Sequence, residues 1–285
     1  MSATPTTTAI GRATIPLRGE RRSARPQGAS AIRSVGLIAV RNAKKVARVP
    51  AILATVVIYP LMMILLMSQV FRGFADIPGF PAGVDYIDYL TPALLALGVM
   101  TNASNSATGI ASDLTSGMLD RLRAMPVRGW TVLAGRSVSD VVVSVGQVAF
   151  VAAIAVVVLG FSPSGSVPEV LGAFALILYL GLAFSGVFMI LGALTRNAEA
   201  ADMASSTLII PLMFLSSVFV PTETMPGWIA AVADVNPLSL VADASRGLFF
   251  GTPDPGDILT AVAVTTIVLI CSMIVAARAY RRASA

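Results

Sequence analysis

The sequence predicts an all-α integral membrane protein with six transmembrane helices and both termini in the cytoplasm. Three observations predict it. Hydrophobic residues make up 56% of the 285 positions and charged residues only 12%, about half the usual charged share. Six runs, near 51–70, 89–111, 141–160, 170–193, 203–220 and 258–277, contain no Asp, Glu, Lys or Arg. Each is about 18 to 25 residues, enough at about 1.5 Å per residue to cross roughly 30 Å of hydrocarbon. The third observation is the placement of the basic residues. With the N-terminus inside, eighteen of the twenty lie in cytoplasmic segments and only Arg72 and Arg246 lie outside, which the positive-inside rule requires.

Composition also excludes function classes. Histidine is absent, so the commonest general base and metal ligand are missing. Cys271 is the single cysteine and sits in an apolar run, which rules out an internal disulfide or a cysteine metal cluster. The net charge of +5 follows membrane topology and not a nucleic-acid groove, because half of the basic residues precede the first run.

In chain order, residues 1–30 are rich in Ser, Thr, Pro and Arg without apolar periodicity and read as a disordered cytoplasmic tail. The remainder, 31–285, reads as one transmembrane domain. Residues 31–48 read as an amphipathic interface helix, with Arg41, Lys44, Lys45 and Arg48 on one stripe facing anionic headgroups. A plain basic flank of the first run gives the same topology.

Between the second and third runs, residues 113–126 read as a short cytoplasmic helix with Asp113 as its cap and Pro126 as its stop. Leu114, Met118, Leu122 and Met125 stack on one face, with Asp113, Asp120 and Arg123 roughly opposite. An apolar ridge with charged margins suits docking into a partner's groove; resting on the membrane surface is the alternative. In the second run, Asn102, Asn105, Ser106 and Gly109 fall on one face. Unsatisfied amides in hydrocarbon are costly, so this face either glues helices together or lines a substrate path. Ser205, Ser206, Ser216 and Ser217 of the fifth run are further path candidates, with Pro211 as a kink. Residues 221–256 are too polar and too rich in Pro and Gly to span. They read either as an interfacial or re-entrant hairpin anchored by Trp228, Phe249 and Phe250, or as an ordinary outside loop.

The stretch Asp113-x-x-x-Gly117-x-x-Asp120-Arg121-Leu122-Arg123-Ala124-Met125-Pro126-Val127 resembles the cytoplasmic-loop signature of type-2 ATP-binding-cassette (ABC) exporter permeases. Leu194-Thr195-Arg196-Asn197 continues the resemblance, as do Phe219-Val220-Pro221, Met225-Pro226-Gly227-Trp228, Asn236-Pro237 and Arg246. These are most similar to daunorubicin-resistance-type permeases, over roughly residues 30 to 280. Many relatives carry Glu where this chain has Asp113, Ser116 and Asp120.

The resemblance implies that Asp113, Leu114, Gly117, Met118, Asp120, Arg121, Leu122, Arg123, Met125 and Pro126 belong to a coupling helix seated on a separate cytoplasmic ABC ATPase. It implies that the second and fifth helices line a central cavity. It also implies an outer gate carrying Pro221, Met225, Pro226, Trp228, Asn236, Pro237 and Arg246. No G-x-x-x-x-G-K-[ST] phosphate loop occurs, so ATP and Mg are expected on the partner, in two copies, with a second permease copy or related chain completing the assembly. The implied activity is export of an amphipathic drug, antibiotic or lipid by alternating access, in a bacterial plasma membrane, with no enzymatic activity on this chain. The rivals are an ion-coupled carrier, for which ionisable groups within the spans are expected, a membrane-embedded enzyme and a channel.

Overall fold

The computed structural model describes residues 50–70, 73, 80, 84–115 and 129–283. The N-terminal tail, the interface helix over 31–48 and residues 116–128 lie outside the described residues. Every regular element among the described residues is helical. They are α1 (Pro50–Val70), α2 (Tyr86–Ala103), α3 (Asn105–Thr115), α4 (Gly129–Ile154), α5 (Val167–Thr195), α6 (Ala198–Phe214), α7 (Gly227–Ala233), α8 (Pro237–Phe249) and α9 (Pro255–Ala283). Among the described residues, three segments are long and apolar enough to cross a bilayer: Leu133–Leu159, Val167–Thr195 and Pro255–Arg282. They correspond to the third, fourth and sixth runs.

Several boundaries differ from the sequence reading. The second run was expected to be one helix, but α2 and α3 meet at Ser104. There the amide of Ser104 bonds Thr101 and its own carbonyl takes Ala107, both three residues away, and the Ser104 and Thr101 hydroxyls back-bond to Thr101 and Leu97 carbonyls, the usual way such side chains tighten a helix. α3 is still helical at Thr115, so Asp113 lies inside a helix and does not cap a new one. The third helix is already formed at Gly129, twelve residues before the charge-free run, and so carries Arg136 and Asp140. α6 spans Ala198–Phe214 instead of 203–220.

The start of α6 is legible from side-chain chemistry. Arg196 ends α5 in the left-handed conformation (φ 50°), its amide bonded to the Gly192 carbonyl. Asn197 then accepts the amides of Glu199 and Ala200 at 2.9 and 3.1 Å, an N-cap. The motif Leu194-Thr195-Arg196-Asn197 is therefore a tight helix-to-helix turn.

α5 is the central helix. It packs against α2, α3, α4, α8 and α9, and more of its membrane-length window is buried than in the other two long segments. Without a solvent-driven hydrophobic force between membrane helices, close approach depends on small residues, and α5 has them on two sides. A Cβ on Gly192 would lie 2.2 Å from the Ala107 carbonyl oxygen of α3, and one on Gly186 would lie 2.3 Å from Ser272 Oγ of α9. α8 enters this core as well, burying Leu238, Val241, Ala242 and Phe249, with Phe249 edge-on to Phe161 and Phe174. Within 221–256, α8 is thus packed into the bundle while α7 contacts chiefly the Thr222–Thr224 turn and exposes Trp228, so the segment is not an open loop.

Gly192→Ala is expected to lower the unfolding temperature in detergent, because the backbone at Ala107 must yield, at about 1–3 kcal/mol. Gly146→Ala, whose Cβ meets nothing within 4 Å, is the control and should be neutral or slightly stabilising. Equal melting temperatures for the two variants would show that the α3–α5 contact is not this close.

Candidate functional site

The residues singled out by sequence gather at two places. At one place, Asp113 and Leu114 lie on α3, while Gly117, Met118, Asp120, Arg121, Leu122, Arg123, Met125 and Pro126 fall outside the described residues. Arg136 of α4 pairs with Asp113, with Nη1 at 3.3 Å from Asp113 Oδ2 and Nη2 donating to the Asn105 carbonyl at 3.1 Å.

One to two turns further into the bundle, the polar face of α2 and α3 lies against α4. Asn102 donates to Ser144 Oγ at 2.8 Å and to the Asp140 carbonyl at 3.4 Å, and Ser106 Oγ donates to the Asp140 carboxylate. Asn102 and Ser106 are buried in this contact, while Asn105 is exposed and donates back to the Asn102 carbonyl at 2.9 Å. Within one chain this face therefore joins helices. Asp140 and Arg136 were missed by sequence reading, which counted Arg136 as a loop cation and began the helix after Asp140. The spacing of Arg136, Asp140 and Ser144 at i, i+4 and i+8 was the available signal.

The second place is the end of α6. Pro211 lies one turn before the helix stops, and after Leu215 the backbone through Val220 makes no helix. Its carbonyls find donors far away in sequence. Asn236 donates to Leu212 and Leu215 carbonyls at 2.8 and 2.7 Å while its Oδ1 caps α8 by accepting from Leu238 N. Tyr89 Oη donates to the Ser217 carbonyl and Tyr86 Oη to the Phe219 carbonyl, both at 2.9 Å.

Arg246 completes the set from α8. Its Nη2 donates to the Ser217 and Val218 carbonyls at 2.9 and 3.3 Å and its Nε to the Tyr89 carbonyl at 2.8 Å. Its Nη1 pairs with Asp243, whose carboxylate also accepts from Ser217 Oγ at 2.9 Å. The guanidinium lies over the Tyr89 ring, 3.6 Å from its centroid, a stacking geometry that suits a desolvated cation. Beside this cluster is a cavity of about 390 Å³, bordered by Val84, Pro221, Glu223, Asp243 and Phe250.

Of the other residues assigned to a path or gate, Ser205 is buried and back-bonds to the Ala201 carbonyl, and Ser206 is exposed. Ser216 and Ser217 are buried in the turn, Pro221 is buried beside the cavity, and Pro237 starts α8. Met225 and Pro226 join the single 3-10 turn Thr222–Thr224 to α7, and Trp228 on α7 is 68% exposed.

Arg246→Leu should be among the most destabilising changes in the chain. It takes a donor from three carbonyls and the cation from the half-exposed Asp243 carboxylate, each buried group left unsatisfied costing about 1–3 kcal/mol, whereas Tyr86→Phe removes one bond worth about 1 kcal/mol. Thermal unfolding in detergent tests the order; a milder loss for Arg246→Leu than for Tyr86→Phe would refute it.

Comparison with known proteins identifies the family. Residues 33–250 match the family described as ABC-2 type transporter. A daunorubicin resistance ABC transporter permease of Streptomyces coeruleorubidus is 32% identical over 207 residues, covering 71% of this chain and 70% of that protein. A probable doxorubicin resistance ABC transporter permease of Mycobacterium tuberculosis is 23% identical over 230 residues, covering 80% of this chain and 81% of its own. A probable multidrug ABC transporter permease of Escherichia coli is 26% identical over 170 residues, of which the chain spans only 45%. The chain belongs to the ABC-2 type membrane transporter family.

Proposed function

We propose that this chain is the membrane half of an ATP-driven exporter, working as a dimer with itself or a related chain on two copies of a cytoplasmic ATPase. Six spans with both termini inside complete the topology in a bacterial plasma membrane. The observation that carries the reading is that the family match extends from the interface segment through the 113–126 loop to the packed hairpin at Arg246. Both the loop expected to meet an ATPase and the hairpin expected to gate the outer side therefore lie within it. ATP and Mg act on the partner.

The hairpin supports the gate. Irregular backbone at membrane depth is tolerated where protein satisfies it or where it lines a cavity; the carbonyls of residues 215–219 are met by Asn236, Arg246, Tyr89 and Tyr86, and the cavity adjoins them at Pro221. α6 supports the dimer, since Met203, Ser206, Ile210 and Phe214 form one exposed face at spacings of three and four residues. The substrate path then runs between two copies along α6, because Asn102 and Ser106 are already engaged with α4. Its apolar and hydroxyl lining suits an amphipathic drug, antibiotic or lipid, in keeping with relatives named for daunorubicin and doxorubicin resistance. In this reading ATP draws the 113–126 segments of the two copies together, closing the inner side and opening the outer.

Purification from native membranes in mild detergent should recover a stoichiometric ATPase with the chain. Leu122→Asp with Met125→Asp should lose it without lowering the amount of chain in the membrane. ATPase retained by that double variant would refute the assignment of the 113–126 segment. An ion-coupled carrier is the second reading, favoured by Arg136 and Asp140 lying inside the long apolar segment Leu133–Leu159. It predicts transport driven by an imposed proton gradient without ATP and abolished by Asp140→Asn.

A further inference from the structure

We infer that Arg136 is a positioning residue, a joint between the cytoplasmic end of α3 and the start of α4 that carries a displacement of Asp113 into the membrane helices. This rests on the exporter reading above, and it assigns the transmission step to residues outside the loop that would meet an ATPase.

The joint is built from a notch and a clamp. The guanidinium occupies the space that a side chain at position 109 would fill, since a Cβ on Gly109 would lie 1.2 Å from Nη2 and 1.8 Å from Cζ. Seated there, it holds α3 at two points eight residues apart, the Asp113 carboxylate at 3.3 Å and the Asn105 carbonyl at 3.1 Å. Its side chain is only 18% exposed and that of Asp113 21%. Pulling the pair apart would leave two charges poorly solvated at the membrane edge. The end of α3 and the start of α4 are therefore obliged to move together.

The comparison with Arg246 separates a joint from a staple. Every nitrogen of the Arg246 guanidinium is engaged, with partners on α2, α8 and the turn after α6. Among the described residues the Arg136 guanidinium pairs only with α3, through Asp113 and the Asn105 carbonyl, and its Nε is buried with no hydrogen-bond partner. It binds one helix to one neighbour and leaves a donor unspent. The next residue, Ser137, shares a hydrogen bond of 3.0 Å with Ser185 of α5, so a shift of α4 here bears directly on the central helix.

The test uses the full chain with its ATPase in lipid nanodiscs, in a Cys271→Ser background with one reporter, Phe214→Cys, on the exposed face of α6. The rate of labelling by a fluorescent maleimide is compared without nucleotide and with ATP plus vanadate. The parent is expected to show a severalfold difference. Arg136→Gln should abolish that difference while ATPase binding and hydrolysis persist, and Arg136→Lys should restore part of it. Gly109→Ala gives the same loss by another route: it keeps every charge, improves helix propensity and evicts the guanidinium from its notch. A normal nucleotide response in Gly109→Ala and Arg136→Gln overturns the inference and leaves the exporter reading intact. Loss of bound ATPase in both also overturns it, because Arg136 would then serve docking. An unresponsive parent overturns alternating access itself, and this inference with it.

Discussion

The unwound backbone after α6 is the constraint on which the rest of this structure depends. A helix that stops within an apolar bundle leaves its last carbonyls without water, and each one unsatisfied costs several kcal/mol in hydrocarbon. The chain meets this demand with long-range donors: Asn236 for Leu212 and Leu215, Arg246 for Ser217 and Val218, Tyr89 for Ser217 and Tyr86 for Phe219. Those four donors come from the start of α2 and from α8, so α8 must sit inside the bundle and α2 must begin beside it. Asp243 neutralises the arginine, which would otherwise be a desolvated cation. The stop in α6, the inward hairpin and the aromatic start of α2 form one construction.

Around that fixed cluster the helices pack by backbone proximity. Gly192 and Gly186 bring α5 against α3 and α9 where any side chain would collide. The two long-range contacts differ in kind. Small residues give a close but featureless contact, whereas the Asn102, Ser106, Ser144 and Asp140 bonds between α2–α3 and α4 are directional. A directional contact resists sliding and rotation, so the α3–α4 pair is a unit better suited to transmitting displacement than to absorbing it. The two clusters thus use the same chemistry to different effect, with Arg246 locking three elements and Arg136 linking two.

Transport by such a chain needs parts that move and parts that do not. The Arg246 cluster spans residues from position 86 to 246 and holds irregular backbone still, while the exposed face of α6 has no such restraint among the described residues. A dimer seam along that face would let the path open without breaking the bonds that keep the turn intact.

The class of the protein was legible in the sequence because its signals are local. Apolar runs identify membrane helices through composition alone, and Leu133–Leu159, Val167–Thr195 and Pro255–Arg282 lie where three of the runs predicted. The family signature was equally legible, and Asn197 and Asn236 could be recognised as caps from residue type. Tertiary structure decided where helices stop and which polar faces are spent. Nothing near Phe214 ends α6 unless donors from Asn236 and Arg246 reach it, and no periodicity reveals partners more than twenty positions away. Charge counting likewise placed Asp140 and Arg136 outside a span, because a charge-free window ends at the first ion. In the folded chain Ser106, Asp113 and the Asn105 carbonyl compensate those charges, so the helix continues through them.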